Sequence, residues 1–286
     1  TGSELTVCGA LWRAGEWPGS QEPTDVMMRA VDERRNIFRM LPAGGRRGRL
    51  WPHGLILLLL LALWAPAQAA NYQDPDYQAA VADARTPTTG KINKNLTPIV
   101  AYNGNLAWEG AAGASRVKMA ALTRNYYDGR EGQDYLLSFG ELWVTVAPEL
   151  QRFFQGQPAA PSMRRLEQLL GLPPDNGYTR IVEFWVNPGD MFRPSPDPEI
   201  TDTMAELDFP QGSRTAVADG YRAWFAQTKH ARYDTPQPYP WTQLGYTYDW
   251  GSANHMGLSE FVIEKGSTVG VCRVYAPDDY FKDRPR

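Results

Sequence analysis

The 286-residue chain carries 29 Lys and Arg against 32 Asp and Glu, with two cysteines, Cys8 and Cys272. A net charge of −3 offers no electrostatic footprint for nucleic acid or an anionic membrane surface. So few cysteines exclude a disulfide framework, which leaves a hydrophobic core to hold the fold.

Residues 1–39 read unlike the remainder and are expected to be a non-native upstream extension, the plausible starts being Met27, Met28 and Met40. From Met40, Arg46, Arg47 and Arg49 form a basic stretch, Leu55 to Ala65 is an apolar run of eleven residues, and Ala67–Ala69 is a small-residue cleavage site. Those three parts in that order predict a secretory signal peptide over 40–69. The run is short of the roughly 20 residues that a spanning helix needs, so no permanent membrane span is expected after cleavage. The mature chain is expected to begin near Ala70 and to reach the periplasm or the exterior. Residues 70–286 carry 21 Lys and Arg against 26 Asp and Glu, enough length for one domain with its own core.

The polar, weakly periodic residues 70–140 predict a loop-rich N-terminal part, and residues 141–286 an α+β core domain. Leu142, Val144 and Val146 alternate as in a strand. A helix follows, with Pro148 suited to its first turn and Leu150, Phe153 and Phe154 on one side. Met163, Leu166, Leu169 and Leu170 predict a second helix that Gly171 and Pro173–Pro174 stop. "RIVEFWV" at Arg180–Val186 concentrates β-branched and aromatic residues, as a strand does. A proline-rich loop precedes a third helix with Val217, Tyr221, Trp224 and Phe225 as its buried stripe. In "QLGYTYDW", Leu244, Tyr246, Tyr248 and Trp250 alternate with Gln243, Gly245, Thr247 and Asp249. The first set predicts a core face, and the second an open polar face. "LSEFVIEKG" and "TVGVCRVYA" predict two further strands around Lys265–Gly266. The fold class is α+β, an antiparallel or mixed sheet with helices packed on it.

Candidate chemistry is sparse. Tyr239 and Trp241 stand between prolines, where an exposed ring could stack on a ligand. The loop residues Arg193, Asp197 and Glu199 form a second candidate recognition surface, although their spacing matches no Ca²⁺ loop. His255, in a glycine-bearing turn, lies close in sequence to Asp249 and Glu260, so the three are candidate proton-transfer or electrostatic groups. Two histidines and one cysteine spread over the mature chain predict neither a metal site nor a cofactor. Cys272 could pair with His255 as a nucleophile, though a strand cysteine is ordinarily buried and inert.

"SEFVIEKGSTVGV" resembles the last motif of ADP-ribosyltransferases, over 259–271. The resemblance implies that Glu260, at the start of that strand, steadies a ribose as nicotinamide leaves. Leu258 stands where that family has an acidic residue or Gln. "LEQLLGLPP", "EFWVNPGDMFRPSPDPEI" and "YPWTQLGYTYDWG", with "GLSEFVI", are similar to an uncharacterised family of exported bacterial proteins, which implies export and a single domain but no activity. The sequence reads as an exported binding or interaction module for a small molecule, glycan or envelope protein. The alternative is a carboxylate-based enzyme using Glu260, either a glycan-acting hydrolase or an ADP-ribosyltransferase-like protein.

Overall fold

The computed structural model describes residues 70–155, 160–210 and 217–282. The upstream extension, the signal-peptide pattern and Cys8 lie outside the described residues.

Helices α1 (Pro75–Ala84), α2 (Ala147–Phe153), α3 (Met163–Leu169), α4 (Asp219–Tyr233) and α5 (Pro277–Tyr280) accompany eight strands. The strands are β1 (Val117–Thr123), β2 (Asp134–Leu136), β3 (Leu142–Val146), β4 (Arg180–Val186), β5 (Met191–Phe192), β6 (Tyr246–Tyr248), β7 (Met256–Ile263) and β8 (Thr268–Tyr275). The sheet runs β2-β8-β4-β1-β3-β7-β5, with β6 also on β7, and every pairing is antiparallel. The α+β class is thus observed with an antiparallel sheet.

Local chemistry sets the helix starts. Asp74 accepts from the backbone of Asp76 and Tyr77 at the start of α1, ahead of Pro75. Ser162 accepts from Arg165 N to open α3. Gly171, with φ +64°, supplies the left-handed turn just after that helix.

Strands β7 and β8 are consecutive in sequence yet stand four places apart in the sheet. In a flat sheet that separation is about 19 Å, beyond the roughly 17 Å spanned by the five residue steps from Ile263 to Thr268. The sheet must curl, and its concave face closes on one core that joins Phe261 and Ile263 to Val269 and Val271 across Met119, Val144 and Phe184. The two last strands therefore form no hairpin. Cys272 falls at the irregularity of the β4–β8 ladder, where Arg273 faces Glu183 and Val271 faces Phe184. It is the extra residue of a bulge.

The opposite face of the sheet is covered in two patches. Ala120, Leu122, Ile181 and Leu258 meet Leu150 of α2, Leu166 and Leu169 of α3, and Tyr280 of α5. Val262 and Trp143 meet α1, α4 and the segment holding Trp241, Tyr248 and Trp250. A gap remains between the two patches, and the candidate site occupies it.

Three expectations change. The segment 70–140 is not merely loop-rich, since it supplies α1, β2 and the central strand β1. "VKMAALT" lacks alternation because six of its seven residues are buried, on both faces of the sheet. Only Tyr246–Tyr248 of "QLGYTYDW" is strand, and Gln243 through Trp250 are all buried, so its second face is not open to solvent. Phe153 is partly exposed at 37%, while Leu150 and Phe154, four residues apart, face inward.

Gly257 marks the tightest approach among β6, β7 and the end of α3. A Cβ there would stand 2.7 Å from the Leu169 carbonyl and closer still to the hydroxyl and carbonyl of Thr247. Those atoms are fixed, since Thr247 Oγ1 donates to Leu169 O at 2.7 Å and accepts from Leu258 N at 2.9 Å. Gly257→Ala is therefore expected to lower unfolding free energy by about 3 kcal/mol in urea titrations. A loss below about 1 kcal/mol would show that these strands can separate cheaply.

Candidate functional site

The β3–β7 register places Glu260 opposite Thr145 and Val262 opposite Trp143, all on the outer face of the sheet. Around them lies a cavity of about 320 Å³, at the small end of the range for ligand sites. Its floor is β1, β3 and β7. One wall comprises Leu150, Leu170, Leu172 and Tyr178, and the other Trp143, Trp241, Tyr239 and Tyr248, while Arg232 and Glu141 supply charge.

Glu260 is surrounded by protein, yet the cavity leaves part of it reachable by water-sized molecules. Its backbone is held by donation to Gly245 O at 2.9 Å. No described residue hydrogen-bonds its carboxyl, so desolvation dominates and pushes its pKa up to about 8, with the charge of Arg232 opposing the rise. The unfolded chain, with this group near 4.5, releases the proton at lower pH. Between about pH 4.5 and 8 the folded state holds the extra proton, and stability falls as pH rises.

Arg232 continues the buried stripe of α4, following Tyr221, Phe225 and Thr228 at spacings of three and four residues. Its guanidinium lies over the rings of Trp143, at 4.6 Å, and Tyr239, at 5.2 Å. Among the described residues it has no carboxylate partner. Glu141, in contrast, is engaged, accepting from Trp224 Nε1 at 2.8 Å and Trp143 Nε1 at 3.4 Å. The Thr145 hydroxyl and Trp241 indole N–H are buried without partners among the described residues.

Of the sequence candidates, Glu260, Tyr239 and Trp241 line this cavity; Asp249 and His255 do not. Asp249, just after β6, is fully buried, not on an open polar face, because α3 packs beside it and Arg165 clamps it with two bonds of 2.8 and 2.7 Å. It also accepts from Gly251 N at 3.0 Å. These contacts make it a structural anchor. His255 is exposed, with φ +56°, and stacks on Tyr248 at 4.9 Å beside a separate pocket of about 60 Å³. The three acidic and basic candidates thus fail to converge.

Trp241 is buried rather than exposed, packing edge-on against Trp143 and at 4.9 Å from Phe225. Tyr239 is half-buried, with its hydroxyl 3.1 Å from that of Tyr72. The loop candidates form no open recognition surface. Arg193 is entirely buried, bonding the Asp202 carboxylate and, at 2.9 Å, the Asp202 carbonyl. Gly245, with φ +72°, makes room for its side chain. Asp197 is half-buried and Glu199 exposed, the first with its pKa raised by burial. Glu260 stands in the middle of β7, not at its start. The Cys272 thiol is pushed up by burial, which removes nucleophilic character.

Sequence reasoning missed Glu141, Thr145 and Arg232. Of these Arg232 left a legible signal, a charge in register with an apolar helical stripe.

The fold and site together define an antiparallel α+β protein with a small, largely apolar cavity on the outer face of its sheet, between two groups of helices. No family model, curated protein or solved structure matches the chain.

Two variants separate the carboxyls by role. Glu260→Gln is expected to stabilise the protein at pH 9 by on the order of 1–3 kcal/mol, with little effect at pH 5. Parallel pH profiles for variant and wild type would refute the buried-acid assignment. Asp249→Ala is expected to cost roughly 3–5 kcal/mol by chemical denaturation, since it strands Arg165 against the core; a loss under about 1 kcal/mol would contradict the anchoring role.

Proposed function

We propose that this chain is an exported binding protein for a small molecule, held in the Glu260 cavity. The observation that carries the reading is a carboxyl that no described residue hydrogen-bonds, on the floor of a cavity walled mostly by aliphatic and aromatic side chains. The Thr145 hydroxyl opposite it is buried without a partner among the described residues; such a group costs on the order of 1–3 kcal/mol, and a ligand that bonds it together with the desolvated carboxyl recovers part of that cost. Apolar walls supply affinity, while a few polar groups fix orientation. Export rests on the basic, apolar and small-residue segments over 40–69. The resemblance to a family of exported bacterial proteins is consistent with it.

A second reading, a carboxylate-based enzyme, draws on the same group. With a pKa near 8, Glu260 holds a proton at neutral pH and could deliver it as a general acid. An ADP-ribosyltransferase-like role fits less well. There the glutamate works as an anion, and desolvation here opposes ionisation.

Thermal-shift and tryptophan-fluorescence screening with small organic compounds tests the binding reading. Wild-type protein is expected to yield ligands whose affinity falls at least about tenfold in Leu170→Trp, which fills the cavity from a half-buried position. A screen without ligands, or ligands indifferent to that substitution, would count against it. N-terminal sequencing of the exported product is expected to begin at Ala70; an intact Met40 start would refute export.

A further inference from the structure

We propose that the ligand of this cavity is a small monocarboxylate, its anionic head held between the Arg232 guanidinium and the Glu260 carboxyl and its apolar body against Leu150, Leu170, Leu172 and Tyr178. This rests on the binding reading above and names the ligand class.

The polar groups of the cavity decide the charge of the guest. Arg232 has lining position and no ion-pair partner among the described residues, while its guanidinium carbon lies 4.6 Å from the Trp143 ring centre and 5.2 Å from that of Tyr239. Ring faces do not supply the in-plane oxygen acceptors that a guanidinium fork takes, and its N–H donors match a carboxylate in geometry as well as charge. Glu260 lies within electrostatic reach of Arg232 but does not bond to it. At neutral pH it is a neutral O–H donor, so the two groups together offer donors and one positive charge. A single carboxylate complements both.

An amine fits worse on the same observations. Its cation would enter next to Arg232, and the Trp143 and Tyr239 faces that could receive it already carry that guanidinium. Glu141 does not substitute as its partner, because two indole N–H groups already engage the carboxylate. The titratable groups around Glu260 are few. Arg232 and Tyr233 come from α4, Tyr239 and Tyr248 from the segment across the cavity, Tyr178 from the strand-approach segment, and Glu141 from the lead into β3. Tyr233 is committed to the carbonyls of Ala84 and Trp241, and Tyr248 donates to Asp83 at 2.9 Å. Burial raises the pKa of Tyr178, as it does those of Tyr239 and Tyr248. Glu260 is thus the group whose proton governs an anion's entry near neutral pH. As it ionises above about pH 8, its charge opposes the ligand head.

Calorimetric titration of wild type, Glu260→Gln and Arg232→Gln with phenylacetate, phenylacetamide and phenethylamine, from pH 6 to 9.5, tests the assignment. Wild type is expected to bind the acid at least about tenfold tighter than the amide and the amine. Its affinity for the acid should fall about tenfold per pH unit above 8, and the fall should be absent in Glu260→Gln, whose amide cannot ionise. Arg232→Gln should bind acid and amide equally. Should that variant lose its near-ultraviolet circular dichroism, Arg232→Lys replaces it, with weaker acid binding and an unchanged pH profile expected. Tighter binding of the amide or amine, or acid binding indifferent to Arg232, would overturn the ligand class and leave the cavity reading standing. No binding of any of the three, with a fragment screen also empty, would overturn both.

Discussion

Strand β7 is the constraint on which the rest of this structure depends. One edge pairs with β3, while the other is shared between β6 at its N-terminal end and β5 at its C-terminal end. A strand with partners on both edges has no freedom to slip, because a one-residue shift would turn Phe261 and Ile263 out of the concave core. The same register turns Glu260 toward the outer layer, where helices already exclude bulk water. Glu149 of α2 secures the arrangement by accepting from Ser259 N at 2.9 Å and Ser259 Oγ at 3.1 Å. Desolvation of Glu260 follows from strand pairing, without any need for a neighbouring acid.

The curl of the sheet explains why a cavity exists. Short connection of β7 to β8 forces curvature, and the helices on the outer face then cluster as two groups rather than one continuous layer. The floor between them is lined with a small residue, Ala120, and a modest one, Thr145. Long side chains at those positions would close the gap. Packing elsewhere is tight enough to demand glycine at 257 and 245, so the opening beside Glu260 is a local departure from the density of the molecule.

Charged residues divide by whether tertiary packing has given them a partner. Asp249 and Arg193 are buried, each paired with a partly exposed partner, Arg165 and Asp202, and each pair ties a loop to the body of the fold. Glu260 and Arg232 share a cavity without bonding each other. Groups that keep no ion-pair partner among the described residues are costly to maintain in a fold, and two of them facing one cavity is what separates a site from a filled core.

Much of the architecture was legible in the sequence. The strand at Arg180–Val186, the helix stripe Leu166 and Leu169 with its glycine stop, and the α+β class all follow from short-range periodicity. Local sterics and burial of one face are sufficient to produce them. Residues 117–123 were not legible as a central strand, because a strand buried on both faces shows no alternation. The sequence singles out Glu260 as a residue of interest, and the structure places it on the cavity floor, but the sequence does not name its companions there. Proximity in sequence suggested Asp249 and His255, whereas strand pairing over more than one hundred residues supplied Thr145, and helix packing supplied Arg232. By itself the sequence determined the elements and their apolar faces. Only the tertiary structure decided which polar side chains keep partners and which stand alone in a cavity, since that depends on long-range register and on what the helices leave uncovered.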